Sequence, residues 1–220
     1  MNKRIPIVEN ILNANENQAA ENRELLDAHH VLGINVMASP GAGKTSIILR
    51  TIESLAPYLT VGVVEGDTAA VTIDADKIAL AGMPAVQINT GGQCHLDAPM
   101  LGNALLKMPL EDIDLLIVEN VGNLVCPAAF TLGTHFNVVV ASLPEGDDKP
   151  YKYPNIYRHI DALVLNKIDL LPYLDFDLAY FQEGIELLNP EVTFFTVSCK
   201  TGAGIERWTD WLLARVIHGS

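Results

Sequence analysis

Residues 32–45 read Leu-Gly-Ile-Asn-Val-Met-Ala-Ser-Pro-Gly-Ala-Gly-Lys-Thr, and this stretch decides the fold. Leu32 to Ala38 is an apolar run of strand length, Ser39 to Gly43 is a glycine-bearing turn, and Ile47, Ile48, Leu49 and Ile52 follow at helical spacing. Strand, loop and helix in that order are the setting in which a Gly-Lys-Thr loop holds phosphates. Gly41 and Gly43 let the backbone N–H groups of the loop, through Ala42, Lys44, Thr45 and Ser46, close around an anion at the positive end of the helix dipole. Lys44 then reaches the β- and γ-phosphates, and the Thr45 hydroxyl can ligate Mg²⁺. Ala38 stands where such a motif often opens on glycine, and it is small enough for the tight bend.

Outward from this stretch, further apolar runs of strand length recur: Thr60 to Val64, Ala85 to Ile88, Ile113 to Val118, Phe136 to Ala141, Ala162 to Leu165 and Val192 to Val197. Helical patterns lie between most of them, at Thr45 to Leu55, Ile73 to Ala81, Ala98 to Leu106, Leu178 to Leu187 and Ile205 to Ile217. Nearly all-apolar strands alternating with helices predict a doubly wound, mostly parallel α/β sheet of about seven strands, covered on both faces. Residues 31–220 form this domain. Residues 1–30 form an amino-terminal appendage in which Gln18 to His29 reads as a polar helix that packs on the core or on a partner.

The chain has 220 residues, 49% of them hydrophobic, with 14 basic against 27 acidic side chains and a formal charge of −13. Such a surface repels phosphate backbones, which argues against a primary role on nucleic acid. No apolar run is long enough to span a membrane and the amino end lacks the pattern of a signal peptide, so a cytoplasmic protein is expected. The three cysteines, Cys94, Cys126 and Cys199, are then free thiols by default.

A second polar cluster, Asn166-Lys167-Ile168-Asp169, leaves the carboxyl end of the sixth apolar run. A carboxylate there accepts from N1–H and N2–H₂ of guanine, whereas adenine would leave it unpaired. Asn166 can reach N7 and the Lys167 stem can lie on the ring. Ser198-Cys199-Lys200, after the last strand, closes over the base and gives Cys199 a backbone role. With the phosphate loop, this predicts a GTP/GDP site. Asp67, ending Val64-Glu-Gly-Asp67, and Glu119, ending Ile117-Val-Glu119, compete for the Mg²⁺ or water contact.

Gly91-Gly-Gln-Cys94-His95-Leu-Asp97 and Val125-Cys126-Pro127 each follow a strand at the same carboxyl edge. Two thiols and an imidazole are soft to borderline donors suited to Ni²⁺ or Zn²⁺, though by spacing alone they read equally as packed side chains.

The order of phosphate loop, strand-end acid, Asn-Lys-x-Asp and Ser-x-Lys resembles the P-loop GTPases, from which Glu119 departs where many have Asp-x-x-Gly. From about Val31 to Ile217 the chain further resembles HypB, the hydrogenase nickel-insertion GTPases, in Cys-His-Leu-Asp-Ala and in Glu119-Asn-Val-Gly-Asn-Leu-Val-Cys126-Pro. The resemblance implies that Cys94, His95 and Cys126 bind metal and that Lys44 and Asp67 serve GTP hydrolysis. It also implies a GTP-dependent homodimer, with a HypA-like nickel metallochaperone and the hydrogenase large-subunit precursor as partners. The amino-terminal cysteine motif and histidine-rich run of some members are absent from this sequence. Lys149, in Glu145-Gly-Asp-Asp-Lys149-Pro, is a candidate to reach across a dimer. The alternatives are a regulatory or cobalamin-enzyme chaperone GTPase with structural cysteines, and a P-loop kinase, which Asn166 to Asp169 disfavours.

Overall fold

The computed structural model describes residues 7–67 and 82–218. Seven strands, β1 (Leu32–Ala38), β2 (Val61–Asp67), β3 (Ala85–Asn89), β4 (Leu115–Glu119), β5 (Phe136–Ser142), β6 (Ala162–Asn166) and β7 (Thr193–Thr196), form one sheet in the order β3-β2-β4-β1-β5-β6-β7. Every adjacent pair is parallel. The doubly wound α/β sheet expected from the sequence is the one observed. β1 lies between β4 and β5, where the chain switches from one side of the sheet to the other, and the crevice at that point opens at the carboxyl ends of the strands.

Seven helices accompany the sheet among the described residues: α1 (Ile7–Ala28), α2 (Lys44–Leu55), α3 (Ala98–Leu105), α4 (Lys149–Lys152), α5 (Pro154–Tyr157), α6 (Leu178–Leu188) and α7 (Ile205–His218). Because side chains alternate across a strand, each central strand feeds two apolar layers. Val36, Ile117, Val138 and Val164 join Ile47 and Ile52 of α2 and Trp208 and Leu212 of α7 on one face. On the other face Val64, Leu116 and Val118 meet Leu26 of α1 and Leu101 and Leu105 of α3, while Val139 and Leu163 meet Ile156 of α5 and Phe181 and Ile185 of α6. Burial on both sides is why these strands read as unbroken apolar runs.

Element boundaries depart from the sequence reading where polar residues sit inside elements. β2 runs on through Glu65 to Asp67 because pairing with β3 continues to Asp67 opposite Asn89. β4 begins at Leu115 rather than Ile113, since the Asp114 carboxylate accepts from Thr60 N at 2.7 Å ahead of the ladder. The first helix begins at Ile7 rather than Gln18, and its Leu26 is fully enclosed by the core, with Asn15, Ala19 and Asn22 also buried. The expected helix from Ile73 to Ala81 lies outside the described residues.

α2 and α7 are joined by a buried polar bond as well as by packing. Thr51 Oγ1 accepts from Trp208 Nε1 at 2.9 Å and donates to Ile47 O at 2.7 Å. Thr51→Val keeps the volume and leaves the buried indole N–H without its acceptor. The expected cost is about 1–3 kcal/mol, read from urea unfolding followed by tryptophan fluorescence. A loss below about 0.5 kcal/mol, the range of an ordinary surface substitution, would mean that this bond does not fasten the two helices.

Candidate nucleotide and metal sites

The phosphate loop turns sharply out of β1 and into α2. Gly43, at the helix N-cap, has φ of 100°, and a Cβ built on it would lie 2.5 Å from Asn166 Nδ2. Both the left-handed backbone and the close approach therefore require glycine. The Asn166 side chain is almost fully buried; its Nδ2 donates to Ala42 O at 3.1 Å, and its Oδ1 accepts from Lys167 N at 2.7 Å and Cys199 N at 3.3 Å. Read from sequence as reaching a base, Asn166 here ties the phosphate loop, β6 and the Ser198–Lys200 segment together. Lys167 Nζ adds a bond of 2.7 Å to Gly41 O.

An open cleft of about 590 Å³ lies beside this loop, lined by Gly43, Ser46, Leu49, Arg50, Asn166, Lys167, Asp169, Leu170, Cys199 and Lys200 among others. All three nucleotide motifs thus meet on one cavity. Ser198 does not line it; its Oγ donates to Asp169 Oδ1 at 2.6 Å and so fixes the carboxylate that does. The Cys199 carbonyl accepts from Arg50 Nε at 2.9 Å, and burial pushes the Cys199 thiol up, with Arg50 opposing. At the other end of the loop, Thr45 Oγ1 donates to Glu119 Oε1 at 3.0 Å. Asp67 ends β2, one strand beyond β4, with its carbonyl accepting from Thr90 N at 3.0 Å.

Cys94 lies in the loop after β3, and Cys126 opens a 3₁₀ turn after β4. The fold brings them together: Sγ to Sγ is 2.8 Å, Cys94 Sγ to His95 Nδ1 is 3.9 Å, and the three donor atoms all lie within 4.8 Å of one another. The His95 ring stacks on Phe130 at 4.0 Å between centroids. Burial pushes the imidazole below its ordinary value, against the opposing Asp97 charge, which favours the neutral form able to ligate a metal. The hydrogen bond with Cys94 pushes the Cys126 thiol up, with desolvation adding to it. A sulfur, sulfur, nitrogen set fits Ni²⁺ or Zn²⁺, and a four-coordinate ion would need one ligand more.

Several supporting residues were not singled out by the sequence motifs. Glu145 accepts from Ser39 in the phosphate loop and from Ser142 at 2.8 Å. A chain of amides, buried at Asn35 and Asn120 and half-buried at Asn137, crosses the sheet: Asn35 Nδ2 donates to Asn137 Oδ1 at 3.1 Å, and Asn120 Nδ2 donates to Asn35 Oδ1 at 3.1 Å. Asn120 Oδ1 in turn accepts from Leu96 N at 3.0 Å, directly after His95. The Leu96 side chain closes over Gly66, between Glu65 and Asp67. The signal in the sequence was an Asn inside the apolar run of β1.

The fold and the cleft together define a P-loop nucleotide-binding protein. A family model described as CobW/HypB/UreG, nucleotide-binding domain, matches residues 33–196. The hydrogenase maturation factor HypB of Rhizobium leguminosarum bv. viciae is 46% identical over 208 residues, 94% of this chain and 69% of that one. Among solved structures, HypB from Archaeoglobus fulgidus superposes with a TM-score of 0.87 at 38% identity, covering 93% of this chain and 100% of that one. HypB from Helicobacter pylori in complex with nickel gives 0.86 at 38% identity, covering 93% and 96%. The chain belongs to the CobW/HypB/UreG family, in its HypB branch.

A metal ion held by Cys94, His95 and Cys126 would bind with a distinct pH profile. With His95 already neutral below its usual range, the protons displaced on binding come from the thiols. Affinity for Ni²⁺ or Zn²⁺ is therefore expected to keep rising between about pH 7 and pH 8, where an imidazole-limited site would have levelled off. Chelator competition across that range measures it, and a flat profile would remove the thiolates from the ligand set.

Proposed function

We propose that the chain hydrolyses GTP to GDP and phosphate as a nickel-handling chaperone in hydrogenase maturation, with the nucleotide gating a homodimer. The single observation that carries this reading is the Cys94, His95 and Cys126 cluster, three metal-competent donors in loops that leave the sheet at its nucleotide-binding edge. Membership of the HypB branch supports the role in maturation, and the nickel complex of the Helicobacter pylori relative supports nickel as cargo. Zn²⁺ suits the same donors and is the natural competitor. A HypA-like nickel metallochaperone and the hydrogenase large-subunit precursor are the partners this role calls for. Among the described residues no helix is long and apolar enough to cross a membrane, and a reducing cytoplasmic setting suits the free thiols.

In this mechanism the loop N–H groups cradle the phosphates at the start of α2, and Lys44 offsets charge on the transferring phosphoryl group. Thr45 would hold a Mg²⁺ ion, which when bound would neutralise charge at the phosphate oxygens. Glu119, bonded to the Thr45 hydroxyl, serves that ion, which leaves Asp67 to orient water. Asp169, braced by Ser198, selects guanine, and Lys167 and Lys200 flank the base. Lys149, whose Nζ lies 5.2 Å from the Tyr153 ring centroid, is the cation offered to a second subunit.

Guanine selection by Asp169 predicts that Asp169→Asn weakens GTP and improves xanthosine triphosphate, whose C2 carbonyl suits an amide donor. Competition against a fluorescent nucleotide measures both, and unchanged GTP affinity would remove the assignment. The gated dimer requires the two nucleotide states to differ in affinity for monomer and dimer. The monomer–dimer constant is expected to shift by about 1–3 kcal/mol between GDP and a non-hydrolysable GTP analogue in sedimentation velocity across a concentration series. Identical constants would refute gating.

A further inference from the structure

Among the described residues, α1 supplies none to the nucleotide cleft and none to the Cys94, His95 and Cys126 cluster. Its polar side chains nevertheless bond to the segments that follow both candidate ligand loops. Asn15 Oδ1 accepts from Ala98 N at 2.8 Å, while Asn15 Nδ2 donates to Thr131 O at 2.8 Å. Two turns further along the same helix, Asn22 Nδ2 donates to Ala98 O at 2.8 Å and to Leu132 O at 2.9 Å. Ala98 belongs to the segment that follows Cys94 and His95, and Thr131 and Leu132 to the segment that follows Cys126. Each asparagine therefore ties the start of α3, just after the Cys94 and His95 loop, to the segment just after the Cys126 turn.

These are not surface contacts. Asn15 is 4% exposed and Asn22 2%. Asparagine is a poor residue for a helix interior, because its amide competes with the backbone for hydrogen bonds. Two of them buried in one helix, with their amides committed to distant main chain, mark a tertiary function. The seat is shaped to receive them. Gly133 has φ of +89° and lies so close to the Ala19 carbonyl that no Cβ would fit, and a Cβ on Gly102 would lie 2.8 Å from Asn22 Oδ1. Arg23 donates to Gly133 O at 2.9 Å and to Thr134 O, and Leu26 anchors the helix end in the core with Leu96 and Leu132.

At their tips the two loops are joined by Asn123, whose Nδ2 donates to Cys94 O at 3.3 Å. At their bases they are joined through α1. We propose that Asn15 and Asn22 are positioning residues for the Cys94, His95 and Cys126 cluster: α1 is a clasp that holds the two ligand loops at a fixed separation. This rests on the metal reading given above. Donors assembled in advance spare the ion the entropy of ordering two loops, so affinity depends on residues that never touch it.

The test uses the reduced full-length chain with the double variant Asn15→Ala, Asn22→Ala and the single variant Asn15→Asp. Asn15→Asp keeps the acceptor for Ala98 N and turns the donor to Thr131 O into a repelling oxygen, so it breaks one of the two bonds to the segment after Cys126 while Asn22 keeps the other. Co²⁺ serves as the probe, through its thiolate charge-transfer band. A second readout needs no metal: the rate at which diamide oxidises Cys94 and Cys126 to a disulfide, mapped by peptide mass spectrometry. There the two thiols give up two electrons and two protons, and the N=N bond of diamide is reduced to the hydrazide. The double variant is expected to lose Co²⁺ affinity by about 10–100-fold, the usual effect of removing outer-shell support, and to form the disulfide more slowly. Affinity for a fluorescent guanine nucleotide should stay within about twofold, which a general loosening of the fold would not allow. Asn15→Asp is expected to fall between wild type and the double variant. Unchanged Co²⁺ affinity and disulfide rate in the folded double variant would overturn the proposal, and if that variant does not fold, the same result in Asn15→Asp overturns it. A wild-type chain that binds no Co²⁺ would defeat the metal reading alone, with the disulfide rate still deciding the clasp.

Discussion

The contact between Gly43 and Asn166 is the constraint on which the nucleotide edge depends. The phosphate loop must leave β1 and enter α2 while passing close to the end of β6, and the space between them admits no side chain. One buried amide then serves three pieces of backbone, at Ala42, Lys167 and Cys199. Because β1 and β6 are separated by β5 in a parallel sheet, their carboxyl ends lie at one edge, and a single amide can brace segments more than a hundred residues apart in sequence. Unsatisfied, that amide would cost on the order of 1–3 kcal/mol, so the loop and the base-side segment are held as one unit.

The edge that carries the Cys94, His95 and Cys126 cluster is built from the same material. Side-chain amides at Asn15, Asn22, Asn35, Asn120 and Asn123 carry main-chain or amide bonds in and around the loops that bear Cys94, His95 and Cys126. Apolar packing sets the layers of the fold but is non-directional, whereas an amide with both donor and acceptor engaged fixes two neighbours at once. An acidic protein has good reason to use neutral groups for this work. Buried carboxylates would need compensation that asparagine does not.

The sheet, its strand count and the nucleotide motifs were legible in the sequence because each has a local cause: apolar runs with both faces buried, glycines at the loop, polar clusters just after strands. The convergence of Cys94, His95 and Cys126 could be read only as a shared edge, since the 2.8 Å approach of the thiols depends on two loops separated by α3 and β4. The full length of α1 was not legible. Its asparagine-rich first half has weak helical propensity, and Asn15 is held by bonds to Ala98 and Thr131 that no local pattern announces.

The end of β4 holds a geometric coincidence with a lasting effect. Glu119 and Asn120 are consecutive, so their side chains leave the pleat on opposite sides, one to the Thr45 hydroxyl and the other to the Leu96 amide beside His95. The α-carbons of such neighbours are about 3.8 Å apart. The two centres are thus hinged on a single peptide plane, and no change in the length of any surface loop can alter the distance across it. Insertions elsewhere in the chain leave the pair in step; one residue inserted between them would put both groups on the same side.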